Sequence, residues 1–259
     1  MNEIASELIE SSRTAFTIGF IVFLRVGAAM AVLPAFGERS IPQRIRLGLA
    51  LAFTIVVAPG ASPSIQPILD RTDQFPFLLG TEVIVGLSLG LVLRLFVMVL
   101  QMAGTIAAQS TSLSQIFGTA AIEPLPAIGH LMVVGGLALA AMTGLHIRVS
   151  EALIGSYFAF PPGVFPSASL IADWGVARVA EAFKLAFTLA APFVIASFVY
   201  NLTLGIINKA MPQLMVAFVG APAITAGGMI LLFLTMPFFL ATWNSSFQLF
   251  LSNPFETGR

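Results

Sequence analysis

Six apolar runs divide this chain, at residues 16–33, 45–58, 77–100, 131–145, 183–207 and 214–243, and several of them hold ionisable or helix-breaking residues. Crossing a bilayer as a helix takes about 20 apolar residues. Arg25 lies midway along the first run, Glu82 and Arg94 flank the middle of the third, and Pro192 and Pro222 with Gly227 and Gly228 interrupt the last two. A central arginine or glutamate costs a lone lipid-exposed span at least about 2.5 kcal/mol. The pattern therefore predicts an all-α polytopic membrane protein of kinked helices and helical hairpins. Its helices pack chiefly on other helices, their own or a partner's.

Composition points the same way. Hydrophobic residues make up 58% of the 259 and charged ones 9%, against about half and a quarter in soluble domains. A soluble fold has no interior large enough for that much apolar surface. There is no cysteine, which removes disulfides, thiolate catalysis and Cys-built metal sites. Net charge is zero, with no basic patch of the kind that tracks nucleic acid. MNEIASELIESS carries glutamates and no lysine or arginine, so it is not expected to be the positive n-region of a cleaved signal peptide. In 38–46, Arg39, Arg44 and Arg46 outweigh Glu38, whereas residues 1–13 and 59–75 are net acidic. The arginine loop is thus expected on the cytoplasmic side. No internal repeat, soluble domain or linker is apparent, so residues 1–259 read as one helical membrane domain.

Glycines support close helix packing. Gly86 and Gly90 share a helix face, and Gly135 and Gly136 sit in another apolar run; such small residues let backbones approach within a membrane. GLSLG, 86–90, matches the G-x-S-x-G pattern of a serine-hydrolase elbow. That pattern works through a strained strand-to-helix turn, whereas this copy lies inside a long apolar run. His130 and His146 stand at opposite ends of one run, about 24 Å apart along a straight helix, too far to share a site. They read as helix-end residues rather than metal ligands. Arg148 and Glu151 are one turn apart and read as a neutralising pair. Arg25, Glu82 and Arg94 are buried ionisable candidates, with two readings open: ion pairs between helices, or the lining of a conduit. The ten methionines read mostly as core filler.

Three stretches are more specific. LRVGAAMAVLPAFGERSIPQRIRLGLALAFT places Arg25, Gly27, Pro34, Phe36, Gly37, Ile41, Pro42, Arg44 and Arg46 in order before an apolar run. TGLHIRVSEALIGSYFAFPPG carries Gly144, His146, Ser156, Tyr157, Pro161 and Gly163. LGIINKAMPQLMVAFVGAP carries Gly205, Asn208, Pro212, Gln213, Gly220 and Pro222. In order and spacing these resemble the flagellar biosynthetic protein FliR family and its type III secretion homologues over essentially the whole chain. Lys209 replaces the family's usual arginine, Leu145 a frequent histidine, and Glu123-Pro124 a more usual Asp-Pro.

The resemblance implies a non-enzymatic core subunit of the flagellar export gate in the bacterial inner membrane at the basal body, with no cofactor or metal. FliP-like and FliQ-like subunits would join it in a helical assembly that an FlhB-like switch protein wraps, and unfolded substrates would pass through. It also implies that the central loop 109–126, QSTSLSQIFGTAAIEPLP, reaches into the pore, with Leu113, Ser114, Gln115, Ile116, Phe117 and Gly118 as the plug. Small, uncharged, glycine-bearing sequence suits a closure that must yield to a passing polypeptide, and irregular backbone is tolerated at membrane depth where it lines a cavity or is buried in protein. Pro212 with Gln213 would shape a helical hairpin turn, and Arg25, Pro34, Gly37, Pro42, Arg44, Arg46, Gly205 and Asn208 would serve family-specific packing. The alternatives are the homologous injectisome subunit, a small-solute or ion transporter built on broken helices, and an intramembrane hydrolase on Ser88. No nucleotide-binding G-x-x-x-x-G-K-[ST] is present, so energy would come from a partner ATPase or the proton gradient.

Overall fold

A computed structural model describes residues 2–34, 36, 41–69, 75–110, 127–211 and 216–255. Among the described residues there are seven α-helices and no strand: α1 Asn2–Val32, α2 Gln43–Ile65 followed by a short 3-10 turn, α3 Phe75–Ser110, α4 Ala127–Met142, α5 Leu145–Ala159, α6 Ala168–Ala210 and α7 Val216–Ser252. Among the described residues, five stretches are long and apolar enough to cross a membrane: Ile4–Val32, Gln43–Ile68, Pro76–Ser110, Ala168–Ala210 and Pro222–Ser252. The pair α4 and α5 makes a sixth if counted as one broken span. The all-α polytopic reading is borne out.

Two expectations change. The first helix is not confined to the apolar run at 16–33: residues 2–13 form its first turns. The prolines expected to interrupt the last two runs lie inside continuous helices, Pro192 in α6 and Pro222 in α7, which also contains Pro237. Pro59 and Pro63 are likewise inside α2. A proline removes one ladder hydrogen bond. Ending the helix would free several more backbone groups, each costing several kcal/mol in a medium without water. The helix therefore continues through it.

Local signals explain the ends. Gly144 has φ 87°, a left-handed conformation suited to glycine, and separates α4 from α5. Ser167 Oγ accepts the Leu170 N–H at 3.3 Å, capping α6. Buried positions of α1 fall at Ile18, Ile21, Val22, Arg25, Val26, Ala29 and Met30, the three-and-four spacing of a single inward face.

The chain forms two compact units, each assembled from separate segments. The first comprises Met1–Leu95, Gly144–Arg178 and Gln248–Arg259; the second comprises Phe96–Thr143 and Val179–Phe247. In the first, glycines bring α3 against α1: a Cβ at Gly86 would overlap the Arg25 carbonyl, and one at Gly90 would stand 2.6 Å from the Ala29 carbonyl. The Trp174 indole N–H donates to the Pro254 carbonyl at 3.0 Å, and Phe255 packs on Trp174 and Phe160.

The second unit uses the same device. A Cβ at Gly104 would overlap the Gly129 backbone, joining α3 to α4, while one at Gly136 would meet Leu100 and Trp243. Trp243 is fully buried, donates its indole N–H to the Phe96 carbonyl at 2.7 Å and stacks on Phe247. The Ser197 hydroxyl donates to the Ser110 carbonyl at 2.6 Å, satisfying an orphan group at the α3 end. Near the facing ends of α6 and α7 the Tyr200 hydroxyl donates to the Gly220 carbonyl at 2.5 Å. This bond joins α6 to α7 on either side of the segment for which a hairpin turn was expected. The turn residues Pro212 and Gln213 lie outside the described residues.

Candidate functional site: a buried ion pair that ties three helices

Arg25 is fully buried on the inward face of α1. A guanidinium cannot shed its proton, so the surroundings must neutralise and hydrogen-bond it. Glu82 on α3, also fully buried, faces it in a bidentate arrangement: Nε donates to Oε2 at 2.9 Å and Nη2 to Oε1 at 2.8 Å. Nη1 donates to the Ser156 hydroxyl on α5 at 3.0 Å, and Nη2 also donates to the Phe160 carbonyl at 3.1 Å. The guanidinium carbon lies 3.8 Å from the centre of the Tyr157 ring, a cation–π distance. The Tyr157 hydroxyl donates to Glu82 Oε2 at 2.9 Å, and Ser156 donates onward to the Leu153 carbonyl at 2.6 Å.

Small residues make this geometry reachable. Gly86 lies one turn along α3 from Glu82 and rests on the backbone of Arg25 itself, so the close approach that needs glycine also delivers the carboxylate. On the α5 side, Gly163 has φ 77°, a conformation that disfavours other residues. Its N–H donates to Thr81 Oγ1 at 3.0 Å, and Thr81 donates to the Leu78 carbonyl at 2.9 Å. Thr81 thereby fixes the turn that carries the Phe160 carbonyl.

For Arg25 and Glu82 this geometry selects the ion pair from the two open readings. The carboxylate is occupied by three donors, and the guanidinium by four hydrogen bonds and the Tyr157 ring, so the cluster is a closed brace rather than an acid–base centre. The expectation of a third buried charge is corrected: Arg94 is exposed on α3 and forms no ion pair among the described residues. Two helical turns beyond Gly86, it lies off the face that α1 covers.

The other expected residues fall as follows. Pro34 is buried after α1, and Phe36 packs edge-on against Phe53 at 5.7 Å. Pro42 is the N-cap of α2, Arg44 is exposed, and Arg46 donates Nε–H to the Ile41 carbonyl at 3.1 Å. Gly205 has nothing within 4 Å of an added Cβ, and Asn208 is exposed. Gly37, Arg39, Glu123 and the expected plug, Leu113, Ser114, Gln115, Ile116, Phe117 and Gly118, lie outside the described residues. Ser88 is within α3 and donates to the Ile84 carbonyl at 2.8 Å, so GLSLG is a helical segment and not an elbow. His130 and His146 belong to different helices and are exposed. Arg148 and Glu151 pair at 3.1 Å, both about half exposed.

Sequence reasoning missed the convergence itself. Ser156 and Tyr157 stood out as a pair within TGLHIRVSEALIGSYFAFPPG, but nothing linked them to Arg25, 131 residues away in the case of Ser156. Thr81 gave no signal beyond its place beside Glu82.

Residues 16–250 match the family described as Bacterial export proteins, family 1. The chain is 33% identical to the flagellar biosynthetic protein FliR of Caulobacter vibrioides over 91% of its own length and 95% of that protein. It is 29% identical to the FliR of Aquifex aeolicus over 87% and 88% of the two chains, and 27% identical to that of Escherichia coli over 84% of each.

Proposed function

Because the chain belongs to the FliR family of bacterial export proteins, we propose that it is a core, non-enzymatic subunit of the flagellar export gate, working as one domain in the inner membrane at the basal body. It forms part of the channel for unfolded substrates, with FliP-like and FliQ-like subunits around it and an FlhB-like protein outside. The observation that carries this reading is family membership over nearly the whole chain. The flagellar version is favoured over the injectisome one because the relatives matched bear the FliR name.

Helix dimensions support a life among partners. At about 1.5 Å per residue the 43 residues of α6 reach about 65 Å, roughly twice the hydrocarbon thickness of about 30 Å. Its first half carries Asp173, Arg178, Glu181 and Lys184, which suits a part standing clear of lipid. The apolar window of α7 is only 11% buried within the chain, leaving a face for neighbours. Gly205, a motif glycine with open space beside it, fits contact with another subunit's helix.

The plug reading of residues 113–118 rests on their composition and on the family resemblance. A tagged copy extracted in mild detergent is expected to bring down FliP-like and FliQ-like subunits in excess over itself. A stable monomer or homodimer would sink the proposal. Deleting residues 114–120 is expected to leave assembly intact and make the membrane leaky to ions; an assembled, gate-open complex with unchanged conductance would show that the segment is no plug.

A further inference from the structure

Between α1, α2 and α3, within the first unit, lies an apolar groove of about 460 Å³ that the ion-pair brace does not use. Phe23, Leu24, Leu47 and Leu87 wall it, and Gly27 and Ala31 keep part of its lining shallow. Leu47 is 53% exposed, so the groove opens to the outside of the chain. Its size falls within the range of about 300–1,000 Å³ typical of small-molecule sites. One end is polar: Gln43 and Arg46, from the first turn of α2, complete the lining.

Arg46 is held at that end by its Nε–H bond to the Ile41 carbonyl, while its two terminal nitrogens make no hydrogen bond among the described residues. Arg44, two residues earlier on α2, is exposed and does not line the groove, and the first turn of α2 holds no acid. The groove thus offers a hydrocarbon-lined trough ending in an arginine that has no acidic partner among the described residues. We propose that it binds one anionic phospholipid, an acyl chain lying along Phe23, Leu24 and Leu87 and the phosphate meeting Arg46. Charge complementarity selects an acidic headgroup, because a zwitterionic one would bring its own cation to the arginine. The inference requires only that the chain sits in a membrane and is independent of the export-gate reading.

The test is native mass spectrometry of the full chain in mild detergent, titrated with phosphatidylglycerol or phosphatidylcholine of matched chains. One phosphatidylglycerol should be retained at concentrations where phosphatidylcholine is lost, and excess inorganic phosphate should not displace it. Arg46→Gln should weaken retention about fivefold, Arg46→Lys should restore most of it, and Ala31→Trp, which fills the groove from an exposed position, should abolish it. Equal retention of the two lipids, displacement by phosphate alone, or wild-type retention by Ala31→Trp would overturn the proposal. So would crosslinking of Leu47→Cys, the single cysteine in such a chain, to a partner subunit in an assembled complex that retains no lipid.

Discussion

At the scale of single residues, the brace around Arg25 sets the largest expected effects. Glu82→Gln leaves a buried guanidinium without its counter-charge, and breaking such a pair from one side costs about 3–5 kcal/mol. The variant is expected to lose most of its monodisperse fraction in size-exclusion chromatography after mild extraction. Replacing both partners by apolar residues, Arg25→Met with Glu82→Leu, should cost less than either single change, since no buried charge remains. A double variant worse than both singles would show that the pair contributes more than mutual neutralisation. Tyr157→Phe removes one donor to Glu82 and should cost about 1–3 kcal/mol in thermal unfolding, with the ring contact to Arg25 retained. Sequence made the two charges conspicuous, but their partnership was legible only as one of two options. Charge sign and depth in a run suggest that a partner exists; they do not identify it across 57 residues.

At the scale of elements, the glycines divide into those that a neighbouring backbone requires and those it does not. Gly86→Ala would push α1 away from α3 at the Arg25 carbonyl and should destabilise by about 1–3 kcal/mol, disturbing Glu82 as well. Gly19 and Gly175 have nothing within 4 Å. Alanine there should be neutral or stabilising by about 0.5–1 kcal/mol, because it only relieves the helix cost of glycine. Comparing melting temperatures of Gly86→Ala with Gly19→Ala checks the distinction, and equal behaviour would refute it. The sequence pattern located the apolar parts of the long helices because apolar runs in lipid have few alternatives, but α5 beyond Leu145 and the first turns of α1 and α6 lie outside the six runs. It misjudged the prolines, since the cost of ending a helix in an apolar medium is absent from a proline's local preference.

At the scale of the whole molecule, large apolar side chains remain uncovered by the chain. Phe198 on α6 is 68% exposed and Phe233 on α7 is 82% exposed. A photo-crosslinker at either position is expected to yield adducts with other export subunits in the assembled complex. Adducts with lipid alone would assign those faces to the bilayer. What the sequence by itself determined was class and kinship: long apolar runs leave helices as the only way to satisfy the backbone, and three ordered motifs carried the family. Tertiary structure decided which charges meet, that Arg94 stays outside the brace, and which glycines are contacts. Those outcomes depend on how helices distant in sequence approach one another, and no local preference encodes that approach.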